Sequence, residues 1–492
     1  MKRFTLAGLA LVSGALAACG GESPPPPPAD ATPDMTTQPD VTESEVGVDA
    51  TADRPGDASA DRPGDVAADR ADAGPTCGRL PFTTIMRTGM STTVRGDTTA
   101  AWMMQTSGRP TAASQVIRAP SGSMTCVPMT GQVVYSYTVG PMAAASGMGQ
   151  ATRATVNTLR HVDVETVDVD YDAGAHREPP SRDLPFTIIH FNADRMLEVR
   201  AALHPSLLRD RYVIGVWFWE LPEFRADWLS AFNAVDEVWA PSEFIGRTLR
   251  EAAPTTVPVV DMPPGLTAPA PSTEGRAEFG LPPDACLCLS VFDVSSQVAR
   301  KHPLAAIAAF RAAKFAHGEA ALVFKCMRAD RNPQAIRELQ AAADGLPLHL
   351  ITDDWPVARV HALMACTDVC LSLHRAEGLG LTMAEQMWLG KPAVATAWSG
   401  NVDFMTADDS CLVPAALVRI DRDYGPYLEG GHWAEADIPV AAAALRRLAT
   451  DPGAARAMGQ RARARVSHHF DRHSRGQQMR HRLLALQREA AC

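Results

Sequence analysis

The amino-acid sequence predicts an α/β protein with two doubly wound parallel sheets, each in a domain of its own. From residue 133 onward, strand-like and helix-like segments alternate, which is typical of parallel strands joined by right-handed crossover helices. A stretch rich in Pro and Gly, residues 263–283, interrupts this alternation, which then restarts. The 492 residues, 46% of them apolar, are sufficient for two domain cores.

The chain begins with a segment, residues 1–19, that resembles a bacterial lipoprotein signal peptide. Lys2 and Arg3 precede an apolar run over 6–16, which is too short to span a bilayer as a mature helix. Small residues then lead to Cys19, where such a signal is cleaved and the thiol receives a lipid. The resemblance implies membrane anchoring through Cys19. An ordinary secretory signal with a chance cysteine is the alternative.

Residues 20–76 are predicted to form a disordered tether. The segment is rich in Pro, Ala and Asp and has almost no large apolar side chain, so it cannot bury enough surface to offset the entropy of ordering. It holds thirteen acidic and three basic side chains, which accounts for the net charge of -10 of the whole chain. The remainder is near neutral and lacks a basic field, so we expect no nucleic-acid partner.

Apart from Cys19 and Cys492, the cysteines fall into two groups. Residues 77–131 are interpreted as a small β-rich segment, which a Cys77–Cys126 disulfide would close in an oxidising compartment. Six others lack the paired spacing of metal ligands and lie in apolar surroundings, so they are predicted to be reduced core thiols. These are Cys286, Cys288, Cys326, Cys366, Cys370 and Cys411.

The first sheet domain is predicted to occupy residues 132–265. Its strands are short apolar or alternating runs, and an amphipathic helix over 151–160 follows the first of them. The strand candidates are 133–139, 162–169, 186–190, 212–219, 235–240 and 257–262.

The second sheet domain is predicted over residues 276–470, followed by a C-terminal helix at 471–492. Strand candidates are 287–292, 321–325, 348–351 and 369–373, with helix candidates at 304–315, 333–343 and 355–365. Ligands of such sheets bind where the carboxyl ends of strands meet helix N-termini.

A glycine-rich turn after the strand at 369–373 is the strongest functional pattern. Residues 377–381 read Glu-Gly-Leu-Gly-Leu and open a helix that contains Glu385. Backbone N–H groups at such a turn, together with the helix dipole, bind phosphate. Two carboxylates beside a phosphate site are suited to bind hydroxyls, so a sugar and a ribose on either side of a diphosphate fit this arrangement.

With its Glu-x7-Glu spacing, this region resembles glycosyltransferase family 4, the group 1 enzymes of the GT-B fold with two facing Rossmann-like domains. The likeness covers about 133–484 of the chain. It extends to further segments in the same order: His-Phe-Asn-Ala-Asp at 190–194, Trp-Phe-Trp-Glu-Leu at 217–221, Asp-Glu-Val-Trp-Ala-Pro-Ser at 236–242, Arg-Lys-His-Pro at 300–303, Ser-Gly-Asn-Val-Asp-Phe-Met at 399–405 and Trp-Ala-Glu at 433–435.

The resemblance implies a retaining glycosyltransferase that moves a sugar from a nucleotide-diphosphate sugar to a glycan or lipid-linked acceptor. It implies that Glu377 contacts the donor sugar, that Glu385 contacts the ribose and that His190 lies over the reacting sugar. Other residues implied in donor binding are Arg300, Lys301, Lys325, Gly378, Leu379, Gly380 and Leu381.

The sequence departs from the family at one phosphate-binding position. Many relatives carry an arginine five residues before the lysine, and Ser296 stands there in this chain. Arg300, next to Lys301, would then supply the second positive charge. The donor is a co-substrate, and we expect no cofactor beyond it.

No metal site is expected from the sequence, and the implied reaction is metal-independent. Asp168 and Asp170 imitate the metal-binding pair of the other glycosyltransferase fold, but they lie in an alternating strand and no companion motif accompanies them.

The implied chemistry and the implied location conflict. Nucleotide sugars are cytoplasmic, whereas a processed Cys19 places the protein outside the inner membrane as an anchored lipoprotein. If the signal is not used, we expect the cytoplasmic face. The alternative function is a non-catalytic, lipid-anchored envelope protein that binds glycan through a degenerate transferase fold.

Overall fold

The computed structural model of this protein describes residues 134–144, 146–174, 177–179 and 184–491. The predicted signal with Cys19, the tether and the segment 77–131 with its Cys77–Cys126 disulfide lie outside these residues, as does Cys492. Those predictions therefore stay predictions.

The first domain is built on a parallel sheet of six strands in the order β2-β1-β3-β4-β5-β6. The order reverses between β1 and β3, where Val139 pairs with Ile189. The strands are β1 (Val134–Gly140), β2 (Val164–Asp170), β3 (Phe186–Ile189), β4 (Tyr212–Val216), β5 (Glu237–Ala240) and β6 (Val259–Asp261).

The second domain holds another six-stranded parallel sheet, in the order β12-β11-β10-β7-β8-β9. Its order reverses between β7 and β10. The strands are β7 (Cys286–Asp293), β8 (Ala320–Met327), β9 (Leu348–Ile351), β10 (Val369–Ser372), β11 (Ala393–Thr396) and β12 (Cys411–Val413). An antiparallel hairpin of β13 (Ala415–Arg419) and β14 (His432–Ala436) follows. The predicted strands did not include β11, β12 or this hairpin.

Helices connect the strands and cover both sheets. The α-helices are α1 (Gly147–Arg160), α2 (Tyr171–Gly174), α3 (Ala193–Ala202), α4 (Glu243–Ala252), α5 (Val298–Lys301), α6 (Pro303–Ala313), α7 (Pro333–Ala342), α8 (Val357–Cys366), α9 (Leu381–Trp388), α10 (Ile438–Thr450), α11 (Pro452–His469) and α12 (Arg472–Ala491). Short 3-10 turns lie at Pro205–Leu207, Ala226–Ala234, Ala277–Phe279, Ala329–Arg331 and Ser399–Asp403.

Local side chains fix where several helices begin. The Ser146 hydroxyl accepts from the Gly149 amide at 3.2 Å, and the Ser242 hydroxyl accepts from the Ile245 amide at 3.2 Å. Each satisfies an amide that has no partner inside its helix. Pro303 and Pro333 occupy first-turn positions, where the missing N–H costs nothing.

The C-terminal helix α12 packs against the first domain, although the chain reaches it from the second. Met479, Leu483 and Leu484 are at most 1% exposed, in one core cluster with Val134 and Trp239. The sequence predicted a terminal helix but not this packing. Among the described residues, no helix is long and apolar enough to cross a membrane.

The six internal cysteines are free thiols, as the sequence predicted. Four of them are buried, Cys288, Cys326, Cys370 and Cys411, and Cys286 and Cys366 are partly exposed.

Candidate active site

The site-bearing loops leave the carboxyl ends of strands at the reversal points of both sheets. His190 directly follows β3, beside the end of β1. Lys301 follows β7, and Glu377 follows β10, the strand that pairs with β7. Reversal points leave a crevice between diverging loops, which is where ligands bind in this class of sheet.

Glu377 lies between two cations from the loop after β7. Its Oε1 accepts a hydrogen bond from Lys301 Nζ, and its Oε2 lies 3.6 Å from an Arg300 guanidinium nitrogen. The same Arg300 nitrogen donates to the Ala376 carbonyl at 2.8 Å. Arg300 is 5% exposed and Glu377 8%. The sequence thus identified three residues that the fold brings into contact.

The charges of this cluster stabilise one another. Burial would raise the pKa of the Glu377 carboxyl, but Lys301 and Arg300 lower it to about 2. Burial lowers the pKa of the Lys301 ammonium, an effect that Glu377 opposes. Burial also disfavours the charge of Arg300, yet Glu220 and Glu377 hold its pKa above the usual value. Glu377 is therefore a carboxylate at physiological pH.

The glycine-rich turn presents backbone amides at the start of α9. Gly380 is in the left-handed region, with φ of 88°, and no side chain caps the helix. Within the described residues, the amides of Gly380, Leu381 and Thr382 have no hydrogen-bond acceptor. Such amides form an anion-binding site together with the positive end of the helix dipole.

The preceding residues are held from two sides. The Gly400 amide donates to the Glu377 carbonyl at 2.9 Å, and the Glu377 amide donates to the Ser399 hydroxyl at 2.8 Å. From the first domain, the Ser242 hydroxyl donates to the Gly378 carbonyl at 2.7 Å. Gly378 therefore contacts the first domain while Leu379 is buried in the second. The turn is fixed in place by both domains.

Glu385 lies apart from Glu377 but also faces the first domain. On α9, its Oε1 accepts a hydrogen bond from Gln150 of α1 and is 3.2 Å from His361 Nε2. The carboxylate thus lies at a contact between the two domains. Its role in ribose binding stays a prediction.

His190 is fully buried, and neither ring nitrogen has a hydrogen-bond partner among the described residues. Burial lowers its pKa to about 3, so the ring is neutral at physiological pH. A neutral imidazole can both donate and accept a hydrogen bond, which suits contact with a sugar hydroxyl. In the described part of the chain, no hydrogen bond joins its ring to Glu377.

Lys325 does not join the Lys301–Glu377 cluster. It lies within β8 and is fully buried, and its Nζ donates to the carbonyls of Asp353 at 2.7 Å and Cys326 at 3.3 Å. The ammonium also lies 5.2 Å from the centre of the Trp355 ring. These neighbours hold the ammonium in place within its own domain. The role of Lys325 in donor binding stays a prediction.

Sequence reasoning missed further polar residues near the crevice. His374, Asn401 and Gln386 are buried, and the Gln386 Oε1 atom has no hydrogen-bond partner among the described residues. Buried polar atoms are rarely left unpaired, so such atoms are available to a polar ligand. Asn401 stands in the segment 399–405 that carried the family resemblance, and His374 directly follows the predicted strand at 369–373.

A small cavity adjoins the cluster. Among its lining residues are Ser372, Lys301, Glu377, Thr382 and Gln386. Within the described ranges, no three His, Cys, Asp or Glu side chains are grouped so that they could hold a metal ion.

Comparison with known proteins gives one curated relative and many structures. No family model matches the chain. A trehalose synthase of Rubrobacter xylanophilus is 28% identical over 242 residues, which cover 45% of this chain and 52% of that protein. The match therefore spans about half the length of the relative.

Solved structures match both sheet domains. Sucrose-phosphate synthase of Thermosynechococcus elongatus has a TM-score of 0.53 at 16% identity, covering 73% of this chain and 100% of that one. HepE of Anabaena, solved with UDP-glucose, has a TM-score of 0.52 at 13% identity, covering 71% and 99%. A glycosyltransferase of Rickettsia africae scores 0.51 at 12% identity, covering 72% and 98%. This protein therefore has the GT-B fold, as the sequence predicted.

Proposed function

We propose that this protein is a retaining glycosyltransferase that moves a sugar from a nucleotide-diphosphate sugar to a glycan or lipid-linked acceptor. The observation that carries the proposal is the buried Arg300–Lys301–Glu377 cluster beside the free amides of the glycine-rich turn. A cation, a carboxylate and an amide-lined helix start at one reversal point suit a phosphorylated sugar.

In this proposal the diphosphate binds at the N-terminus of α9. The amides of Gly380, Leu381 and Thr382 contact its oxygens, and Lys301 neutralises its charge. An ammonium has three N–H groups, so Lys301 can hold Glu377 and a phosphate oxygen together. Glu377 accepts hydrogen bonds from hydroxyls of the transferred sugar. Breaking the anomeric bond builds negative charge on the leaving diphosphate, which fixed cations and dipoles stabilise.

The remaining assignments belong to the same proposal. No side chain is assigned as a nucleophile. The acceptor hydroxyl therefore attacks the anomeric carbon from the same face as the departing diphosphate. The leaving phosphate accepts the proton of that hydroxyl. His190 contacts the reacting sugar, Glu385 the ribose, and Lys325 and Arg300 support the donor. Transfer is metal-independent, and the protein is anchored through Cys19 if its signal is used.

The relatives suggest which donor to test first. HepE structures contain UDP-glucose or UDP with glucose, and the curated relative is named a trehalose synthase. UDP-glucose is therefore the first donor in a panel of common nucleotide sugars.

The test uses the purified full chain. Nucleoside diphosphate release and glycosylated product should both appear with at least one donor. Glu377→Gln keeps the shape but removes the charge between Lys301 and Arg300, so turnover should fall about 100-fold or more. Glu338→Gln, an exposed position on α7, is the control and should leave turnover unchanged.

Two outcomes oppose the proposal. A chain that binds no nucleoside diphosphate and turns over no donor would instead fit the glycan-binding alternative. Full turnover by Glu377→Gln would mean that the donor sugar is held elsewhere.

A further inference from the structure

Glu220 from the first domain and Tyr427 from the second meet beside Arg300. The Tyr427 hydroxyl donates to Glu220 Oε2 at 2.9 Å, and Glu220 Oε1 lies 4.0 Å from an Arg300 guanidinium nitrogen. The Arg300 guanidinium also lies 5.8 Å from the centre of the Tyr427 ring. Three side chains from distant parts of the sequence therefore lie next to one another.

This contact is deeply buried. Tyr427 is 4% exposed, Arg300 5%, and the Glu220 side chain 17%. A buried guanidinium needs negative charge close to it, because an uncompensated charge in the interior is strongly destabilising. Glu377 supplies one carboxylate to Arg300 and Glu220 supplies the second.

Tyr427 reaches this position through the connection between β13 and β14, residues 420–431, which we call the strap. Next to Tyr427, the Pro426 carbonyl accepts from Arg225 of the first domain at 2.8 Å. The first residue after the strap, His432, is 2.8 Å from Glu223 of the first domain. The strap therefore lies against the first domain at several points.

The hairpin is linked to the backbone of Arg300 through Arg375. The Ala434 amide donates to the Arg375 carbonyl at 2.8 Å, and the Arg375 amide donates to the Arg300 carbonyl at 2.8 Å. Arg375 also donates to Glu435 of β14 at 2.8 Å. One hairpin thus joins the loop of Arg300 to the first-domain residue Glu220.

We propose that Glu220 and Tyr427 are positioning residues that orient Arg300 against Glu377. The inference rests on the proposed function and adds two residues to it. Glu220 comes from the opposite domain, so Arg300 has its full set of partners only when the two domains are in this arrangement. The orientation of Arg300 against Glu377 thereby depends on a carboxylate from the opposite domain.

Tyr427→Phe is the sharpest test, because it removes one hydroxyl and keeps the ring against Arg300. Loss of a hydrogen bond to a carboxylate should lower kcat about tenfold or more. Binding of UDP alone should stay within about twofold, because UDP lacks the sugar that Glu377 holds. Kinetics with the best donor and calorimetric binding of UDP give the two readouts.

Tyr424→Phe is the matched control on the same strap. Its hydroxyl lies 3.1 Å from Asp421 within the strap, so kcat should be unchanged. Glu220→Gln should lower kcat as well, since it removes the charge that faces Arg300. The double variant Glu220→Gln with Tyr427→Phe should lose less than the product of the single losses, because both residues act through Arg300.

The outcomes separate this inference from the proposed function. If the wild-type chain turns over donor and Tyr427→Phe matches it, the positioning role is wrong while the proposed function stands. Equal losses of kcat and of UDP affinity, with a lower melting temperature, would indicate a merely structural tyrosine and also overturn it. A wild-type chain that shows neither nucleotide binding nor turnover would contradict both the inference and the proposed function.

Discussion

Two histidines in the crevice are held neutral by burial. His190 and His374 are fully buried, and burial lowers their pKa values to about 3 and about 4. In the unfolded chain a histidine titrates near its ordinary value of about 6.5. Between these values the unfolded state binds protons that the folded state does not, so folding becomes less favourable as the pH falls.

We therefore expect the free energy of unfolding to fall as the pH drops below about 6.5. Above this pH, each buried histidine makes its full contribution to the free energy of unfolding. Below it, that contribution falls by about 1.4 kcal/mol per pH unit. Urea unfolding between pH 7 and pH 5 measures the slope. His190→Phe and His374→Phe should each flatten it, because neither variant has a proton to bind there.

The exposed residue His317 provides the control. In His317→Phe, the free energy of unfolding should change with pH as steeply as in the wild-type chain. An unchanged slope in both buried variants would show that these two rings do not control the acid sensitivity.

At the scale of elements, the turn between β10 and α9 depends on contact with the 3-10 turn Ser399–Asp403. The Gly400 amide donates to the Glu377 carbonyl at 2.9 Å. A Cβ atom at Gly400 would overlap the Gly378 carbonyl oxygen and lie 3.0 Å from the Leu379 nitrogen. The two backbones are close enough that only glycine fits.

Gly400→Ala should consequently displace the glycine-rich turn. We expect UDP affinity to fall about tenfold or more and stability to fall by about 1–3 kcal/mol, the usual range for overpacking. Calorimetry and urea unfolding measure the two effects.

Gly147→Ala is the matched substitution at the start of α1, where an added Cβ atom meets nothing within 4 Å. It should bind UDP as the wild-type chain does and be slightly more stable, since alanine favours helix. Wild-type UDP affinity in Gly400→Ala would contradict the assigned phosphate site.

At the scale of the whole molecule, helix α12 follows the second domain in the sequence but packs against the first. Arg482 of α12 contacts Glu237 of β5 with a shortest distance of 2.5 Å, and Glu237 is fully buried. Glu237 also accepts from Trp239 Nε1 at 2.8 Å. The terminal helix therefore neutralises a charge in the first-domain core.

Arg482→Ala should cost about 3 kcal/mol or more, because it leaves a buried carboxylate without its cation. Thermal and urea unfolding measure the loss. Arg456→Ala, at an exposed position on α11, is the control and should change stability little. Adding Glu237→Gln to Arg482→Ala should recover part of the loss. Equal stability of the Arg482 and Arg456 variants would contradict this role of α12.

Much of the fold could be predicted from local pattern. Most predicted strands and helices lie within a few residues of those observed, because burial on one or both faces imposes periods that a short stretch of sequence displays. The β13–β14 hairpin was missed because β13 is largely exposed, and its residues, Ala-Ala-Leu-Val-Arg, show no alternation of apolar and polar side chains.

The candidate site was predictable where a residue follows a strand in a recognisable motif. Glu377, Arg300 and Lys301 meet because β7 and β10 are neighbours in the second sheet. Tyr427 was not predictable, because its place beside Arg300 depends on where the strap lies against the first domain. The sequence assigned Lys325 to the donor, which stays a prediction, and only the structure shows that its ammonium donates to two backbone carbonyls.

By itself, the sequence determined the strand and helix alternation, the division into two sheet domains and the glycine-rich turn that opens α9. Each depends on residues a few positions apart, whose periodicity and backbone freedom are local properties. Only the tertiary structure decided that Arg300 lies between Glu377 and Glu220, that His190 and His374 are buried neutral, and that α12 returns to the first domain. These depend on packing between segments tens to hundreds of residues apart, and packing sets both the neighbours and the polarity around each side chain.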